Sequence, residues 1–190
     1  ILCPIEPGGK LICIGLNYRD HAIESGQPIP PEPVVFCKLP GTLCGPDDVV
    51  PLPQVSEQVD YEAELVIVIG MGGKCIRRED AHKHIAGYTC GHDVSARNWQ
   101  LKKPGGQWFI SKSADTFAPC GPHIVAADRL TAPYDLKIQF RLNGQVMQAS
   151  NTVQMHYRGS DLVAHLSQFI TLYPGDLIYT GTPGGVGFAR

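Results

Sequence analysis

The stretch that decides the reading is VDYEAELVIVIG, residues 59–70. Five apolar residues, Leu65 to Ile69, run without interruption and predict a strand buried on both faces. Glu62 and Glu64 stand directly in front of it. Residues two apart on a strand point to the same side. Two carboxylates therefore share one face at the mouth of a buried strand. Like charges at that spacing repel, and burial makes each costlier. Such a pair calls for a compensating cation.

The rest of the chain sets bounds. It has 190 residues, 43% of them apolar and 18% charged, with a formal net charge of −2. That length supports one domain with a sizeable core. The near-neutral charge advertises no surface for nucleic acid. No apolar run reaches the length of a membrane span. Residues 1–10 hold two prolines, two glycines and a glutamate, and do not read as a signal peptide. Seven cysteines, none in a C-x-x-C, argue against zinc ribbons and paired disulfides and for a reducing compartment. Cys13 and Cys90 read as plain core thiols.

Glycine and proline are frequent, 21 and 16 residues, which suits many short strands. KLICIGLNY (10–18) reads as a strand leading into a short helix, RDHAIES. PVVFCK (33–38) is a second strand, and 40–57 reads mostly as loop. REDAHKHI (78–85) predicts a short helix before a strand at 86–92, and VSARNWQL (94–101) one or two helical turns. LKIQFRLNGQVMQAS (136–150) predicts a hairpin turning at Asn143–Gly144, a type I′ signal. SDLVAHLSQFI (160–170) predicts an amphipathic helix, with Ser160 as N-cap and an apolar face of Leu162, Val163, Leu166, Phe169 and Ile170. PGDLIYTGTP (174–183) reads as turn, strand and loop. The sum is a β-rich α+β fold with few short helices.

Asp93, in GHDVSARN, follows a predicted strand. With Glu62 and Glu64 it offers three hard oxygen ligands of the kind that Mg²⁺, Mn²⁺ or Ca²⁺ takes. The competing reading is an exposed strand end whose glutamates pair with Arg or Lys. His21 and Glu24 are helical neighbours at i and i+3, the spacing of an oriented general base or of an incidental surface pair. Lys112, in FISKSADTF, is either an anchor for an anion or a surface lysine. TGTPGGVG (180–187) lacks the ending of a P-loop; it reads either as amides and Thr hydroxyls that cradle a carboxylate or as a plain connecting loop.

The segments GLNYRDHAIE, DYEAELVIVIG, GHDVSARNWQ, GQWFISKSADTFAPCGP and PGDLIYTGTPGGVG, in this order, resemble the fumarylacetoacetate hydrolase family, in particular its smaller fumarylacetoacetase domain-containing members. The resemblance spans roughly residues 10–188. It implies a mixed β-sheet roll, usually dimeric. It implies that Glu62, Glu64 and Asp93 bind Mg²⁺ or Mn²⁺, and that His21 and Glu24 form a dyad on a mobile helix that activates water or shuttles a proton. Lys112 is then the lysine that holds substrate and developing charge. Gln100 and Thr182 contact the oxo-acid end, with Arg97 beside them.

The expected activity is that of a divalent-metal-dependent hydrolase or decarboxylase of 2-oxo acids, such as acylpyruvates or oxaloacetate, cleaving a C–C bond through an enolate. A keto–enol tautomerase or isomerase using the same site, and a non-catalytic scaffold, are the alternatives. Two residues depart from the family pattern: Asn98 stands where many members carry Asp, and Ala114 where many carry Phe. Altered packing or substrate shape is expected there. Members usually continue with further strands, so the expectation is a single domain over 1–190 lacking its last C-terminal strands. The expected setting is cytoplasmic or the mitochondrial matrix, as a homodimer.

Overall fold

The computed structural model describes residues 1–130 and 132–190. In chain order the elements are β1 (Leu11–Gly15), α1 (Arg19–Glu24), β2 (Val34–Lys38), β3 (Leu43–Cys44), β4 (Val59–Asp60), β5 (Ala63–Ile69), β6 (Ile85–His92) and β7 (Ser95–Ala96). There follow α2 (Arg97–Lys102), α3 (Trp108–Ser111), β8 (Ala118–Ala126), β9 (Lys137–Leu142), β10 (Gln145–Asn151), α4 (Gly159–Phe169) and β11 (Leu177–Tyr179). Seven strands form one mixed sheet in the order β2-β1-β11-β5-β6-β8-β3. β1 runs parallel to β11 and β3 parallel to β8; the other neighbours are antiparallel.

β5 lies at the centre of this sheet, and all seven of its residues are buried. Its alternation feeds two cores. Leu65, Ile67 and Ile69 pack with Leu162, Val163 and Leu166 of α4. Val66 and Val68 pack with Leu11, Leu43, Ala118 and Leu177, all from the same sheet, which therefore curls around its own second face. This is why the run shows no polar residue: neither side meets water. Each buried Leu, Ile or Val contributes about 1.5–3 kcal/mol. The hairpin β9–β10 turns at Asn143 and Gly144, both in the left-handed region (φ 51° and 79°), as its Asn-Gly signal requires.

Several local expectations are corrected. α4 starts one residue earlier than its pattern implies. Arg158 is the N-cap, and its amide donates to the Asp161 carboxylate at 2.9 Å, so Ser160 lies inside the helix. Phe169 is 81% exposed. It sits at the last turn, beyond the reach of the sheet, while Ile170 packs against the core. Cys13 is fully buried, but Cys90 is exposed, because it faces a cavity of about 480 Å³ between the sheet and the β9–β10 hairpin. Residues 78–85 yield only one 3-10 turn, Ala81–His84. Ser95 and Ala96 are drawn out of the helix at 94–101 to pair with β4. All seven cysteines are free thiols.

Candidate metal and proton-transfer site

Pairing of β5 with β6 builds the acid cluster. Ala63 is opposite His92, and the Asp93 amide donates to the Glu62 carbonyl at 2.9 Å. Glu62 and Glu64 thus meet Asp93 at one end of the central strand pair. One carboxylate oxygen from each lies within 4.8 Å of the others, and all three residues are buried. The strand mouth is buried rather than exposed, and of its two glutamates Glu62 pairs with Arg97 and Lys112.

Each acid has one oxygen engaged by a fixed group. Arg97 Nη2 sits 2.7 Å from Glu62 Oε1, an ion pair rather than an aligned hydrogen bond. The Gly181 amide donates to Glu64 Oε2 at 2.7 Å. Lys38 Nζ donates to Asp93 Oδ1 at 2.5 Å and to the Val94 carbonyl at 3.1 Å. Lys112 Nζ, itself buried, reaches the other oxygens of two of them, Glu62 Oε2 at 2.9 Å and Asp93 Oδ2 at 2.7 Å, and also donates to Ser95 Oγ.

The three carboxylates differ in charge balance. Burial pushes the Glu62 carboxyl up, but Lys112 and Arg97 overcome it and hold it at about 2. Burial also pushes Glu64 up, and here Asp93 and Glu62 push the same way, so its carboxyl lies well above the usual range. No lysine or arginine among the described residues is ion-paired to Glu64. Burial lowers the Lys112 ammonium, but Asp93 and Glu62 more than reverse this and keep it charged. A buried carboxylate without a cation, beside two others, is the donor set a hard divalent ion fits. Neighbouring His92 is no part of it. Burial pushes its imidazole down to about 4, and the ring packs 5.1 Å from that of Phe140.

Of the nine residues singled out from sequence, seven line one cavity of about 50 Å³; Glu24 and Asp93 stand behind it. That is room for an ion and a few waters. α1 brings His21 over the cavity, and His21 Nδ1 lies 3.4 Å from Glu24 Oε2. Glu24 is held in turn by the Gly185 amide. The TGTPGGVG loop therefore does cradle carboxylates, those of Glu64 and Glu24. Gln100 accepts from Arg97 Nη1 at 2.8 Å. Thr182 Oγ1 accepts from Gln148 Nε2 at 2.8 Å and donates to the Ala63 carbonyl at 2.9 Å. Its hydroxyl proton is thus committed to the backbone.

Sequence reasoning missed three supporting residues. Asp60 is buried and accepts from Arg97 Nε at 2.8 Å and from the Gly187 and Phe188 amides. Its signal was present, since Asp60, Glu62 and Glu64 alternate along one chain face. Lys38 reads as the polar end of a strand, and its partner is 55 residues away. Gln148, fully buried on β10, accepts from the Ala63 amide at 2.8 Å and ties the hairpin to the site; an amide on a strand carries no local sign of this. Of the two departures, Asn98 accepts from Ser56 Oγ at 2.5 Å. Ala114 lines an apolar cavity of about 240 Å³ with Trp99 and Ile110. Neither lines the acid cavity, so both act on packing.

Residues 10–190 match the family described as fumarylacetoacetate (FAA) hydrolase, C-terminal. The chain belongs to the fumarylacetoacetate hydrolase family. Within that family it is 49% identical over 189 residues to the mitochondrial oxaloacetate tautomerase FAHD2A of Homo sapiens, a match that takes in 100% of this chain and 60% of that protein. The chain thus spans less than two thirds of the length of this curated relative. The 5-carboxymethyl-2-hydroxymuconate delta-isomerase of Mycobacterium smegmatis superposes with a TM-score of 0.88 at 43% identity, over 98% of this chain and 72% of that one. The fumarylpyruvate hydrolase of Pseudomonas aeruginosa, solved with Mn²⁺ and pyruvate, gives 0.86 at 34% identity, over 97% and 81%. The curled mixed sheet with few short helices is the fold of these family members.

Proposed function

We propose that the chain carries a divalent-metal-dependent enzyme site that interconverts keto and enol forms of a small 2-oxo acid of the oxaloacetate type. Glu62, Glu64 and Asp93 would hold Mg²⁺ or Mn²⁺, which supplies a Lewis acid to offset the negative charge of an enolate. The observation that carries the reading is the single histidine over the acid cavity, backed by a carboxylate that is itself held by an amide. That arrangement suits proton transfer and does not by itself supply a water nucleophile.

The steps assigned to this chain's own groups are few. Neutral His21 takes the proton from the carbon next to the keto group, and the freed electron pair forms the C=C bond. The same imidazolium returns the proton to the former keto oxygen, and Glu24 stabilises the charge in between. Lys112 provides a fixed positive charge beside the oxo-acid head, and Arg97 and Gln100 orient its carboxylate. Thr182, with its hydroxyl proton committed, shapes the wall near Ala63.

Hydrolytic or decarboxylative C–C cleavage through the same enolate is the second reading, favoured by the fumarylpyruvate hydrolase neighbour. The test is to follow enol absorbance and pyruvate release separately from oxaloacetate and acylpyruvates. Enol decay without pyruvate supports tautomerisation; matched pyruvate release supports cleavage; neither, with metal supplied, leaves the scaffold reading. The homodimer belongs to this proposal and is tested by sedimentation at micromolar concentration. Names of the relatives favour a mitochondrial setting over the cytoplasm, and no described helix is long and apolar enough to cross a membrane.

A further inference from the structure

We infer that Lys38 sets the ion preference of the acid cluster by withholding Asp93 Oδ1 from the ion. The inference rests on the metal reading above. The Lys38 side chain is fully buried, and it is not among the residues that line the cavity. Its ammonium donates to Asp93 Oδ1 and to the carbonyl of Val94, the next residue in the chain. The cation is thus tied to the same backbone as the carboxylate it grips. Asp93 cannot turn without breaking its contact with an ammonium that the backbone holds in place.

The same pattern recurs at the other two acids. Arg97 engages Glu62 Oε1, and the Gly181 amide engages Glu64 Oε2. Lys112, on the cavity wall, donates to the remaining oxygens of Glu62 and Asp93, and an ion that shares those oxygens with it or displaces it there meets three single-oxygen contacts. A small ion of octahedral habit, with ligands at about 2.0–2.1 Å and waters or substrate in the remaining places, fits such a set. Ca²⁺ takes six to eight oxygens at about 2.3–2.6 Å and commonly uses both oxygens of a carboxylate. Withholding Asp93 Oδ1 therefore works against Ca²⁺ more than against Mg²⁺ or Mn²⁺. Arg97 also binds Asp60 and Gln100, and Gly181 acts through its backbone. Lys38 is the one of the three that a side-chain change removes without altering the cavity wall. It is a positioning residue.

Removing Lys38 also removes a positive charge, which strengthens binding of both ions alike. The ratio of affinities isolates the geometric part. The experiment measures Mn²⁺ binding from the free-ion electron paramagnetic resonance signal, with Ca²⁺ as competitor and no substrate present. Wild type is expected to prefer Mn²⁺ by at least about tenfold, Lys38→Met to move the ratio toward Ca²⁺ by about tenfold, and Lys38→Arg to keep it. Affinities for both ions that change together in Lys38→Met, leaving the ratio fixed, would overturn the inference. So would a wild type that binds Ca²⁺ as tightly as Mn²⁺, a result that stands even if Lys38→Met does not fold. A wild type that binds neither ion defeats the metal reading itself and the inference with it.

Discussion

The Gly185 amide donates to both carboxylate oxygens of Glu24, at 2.9 Å each, across 161 residues of chain. This contact ties the loop after β11 to helix α1 and so fixes the carboxylate behind His21. Gly185 is in the left-handed region (φ 100°), and a Cβ there would meet the Met147 carbonyl at 2.3 Å. Gly185→Ala is therefore expected to displace Glu24 and lower kcat by about ten- to a hundredfold, with smaller loss of metal affinity. Circular dichroism and Mn²⁺ titration check that fold and acid cluster persist. A variant with wild-type kcat means that the dyad needs no such support.

The second expectation concerns Glu64. Its carboxyl is raised, so the folded state binds its proton more tightly than the unfolded state does. The ionised carboxyl therefore costs stability in full above its raised pKa, and the cost fades as pH falls from there to the ordinary carboxylate value. Glu64→Gln keeps an oxygen for the Gly181 amide and removes the charge. It should raise the melting temperature of the metal-free protein by about 2–6 °C while abolishing Mn²⁺ binding. A lowered melting temperature contradicts the charge balance described for the cluster.

Glu62 should behave oppositely. Its carboxyl is held at about 2 by Lys112 and Arg97 against the effect of burial. Its pairing stabilises the fold above the usual carboxylate range, near 4.3, and that contribution is lost as pH falls from there toward 2. Glu62→Gln should therefore be destabilising at pH 7, by about 3–5 kcal/mol as for a broken buried ion pair, and much less so near pH 2. Urea titrations at several pH values measure this. A penalty that does not shrink on acidification argues for packing rather than charge.

Metal affinity should also depend on pH. An ion entering the cluster displaces the proton that Glu64 holds above its normal range. Mn²⁺ affinity should weaken steadily on acidification, starting at a pH above the usual carboxylate range, and binding should release protons. Calorimetry in buffers of different ionisation enthalpy reads this directly; an affinity flat down to pH 5 contradicts it.

What could be read from the sequence follows the range of the interaction. The buried strand, the hairpin turn and the shared face of Glu62 and Glu64 depend on periods of two residues and on local turn chemistry, so they were legible. Asp93 as a third ligand and Lys112 as an anion anchor were legible only beside plain alternatives, and Gln100 came through family resemblance alone, because the β5–β6 pairing behind the cluster is non-local. Lys38, Gln148 and the Gly185–Glu24 contact escaped notice, since each joins residues far apart in the chain. Cys90 and Phe169 were misjudged because an apolar pattern does not say where the covering layer ends.

The most direct test of the account is a titration of metal-stripped protein with Mn²⁺, reading bound ion and the rate of oxaloacetate enol–keto relaxation together, for wild type and His21→Ala. The account predicts one ion per chain in both proteins. In wild type the rate should climb with occupancy. In His21→Ala it should stay lower by about two to four orders of magnitude at full occupancy. Full activity without metal, or loss of the bound ion in His21→Ala, would contradict the separation of an acid cluster that holds the ion from a histidine that moves the proton.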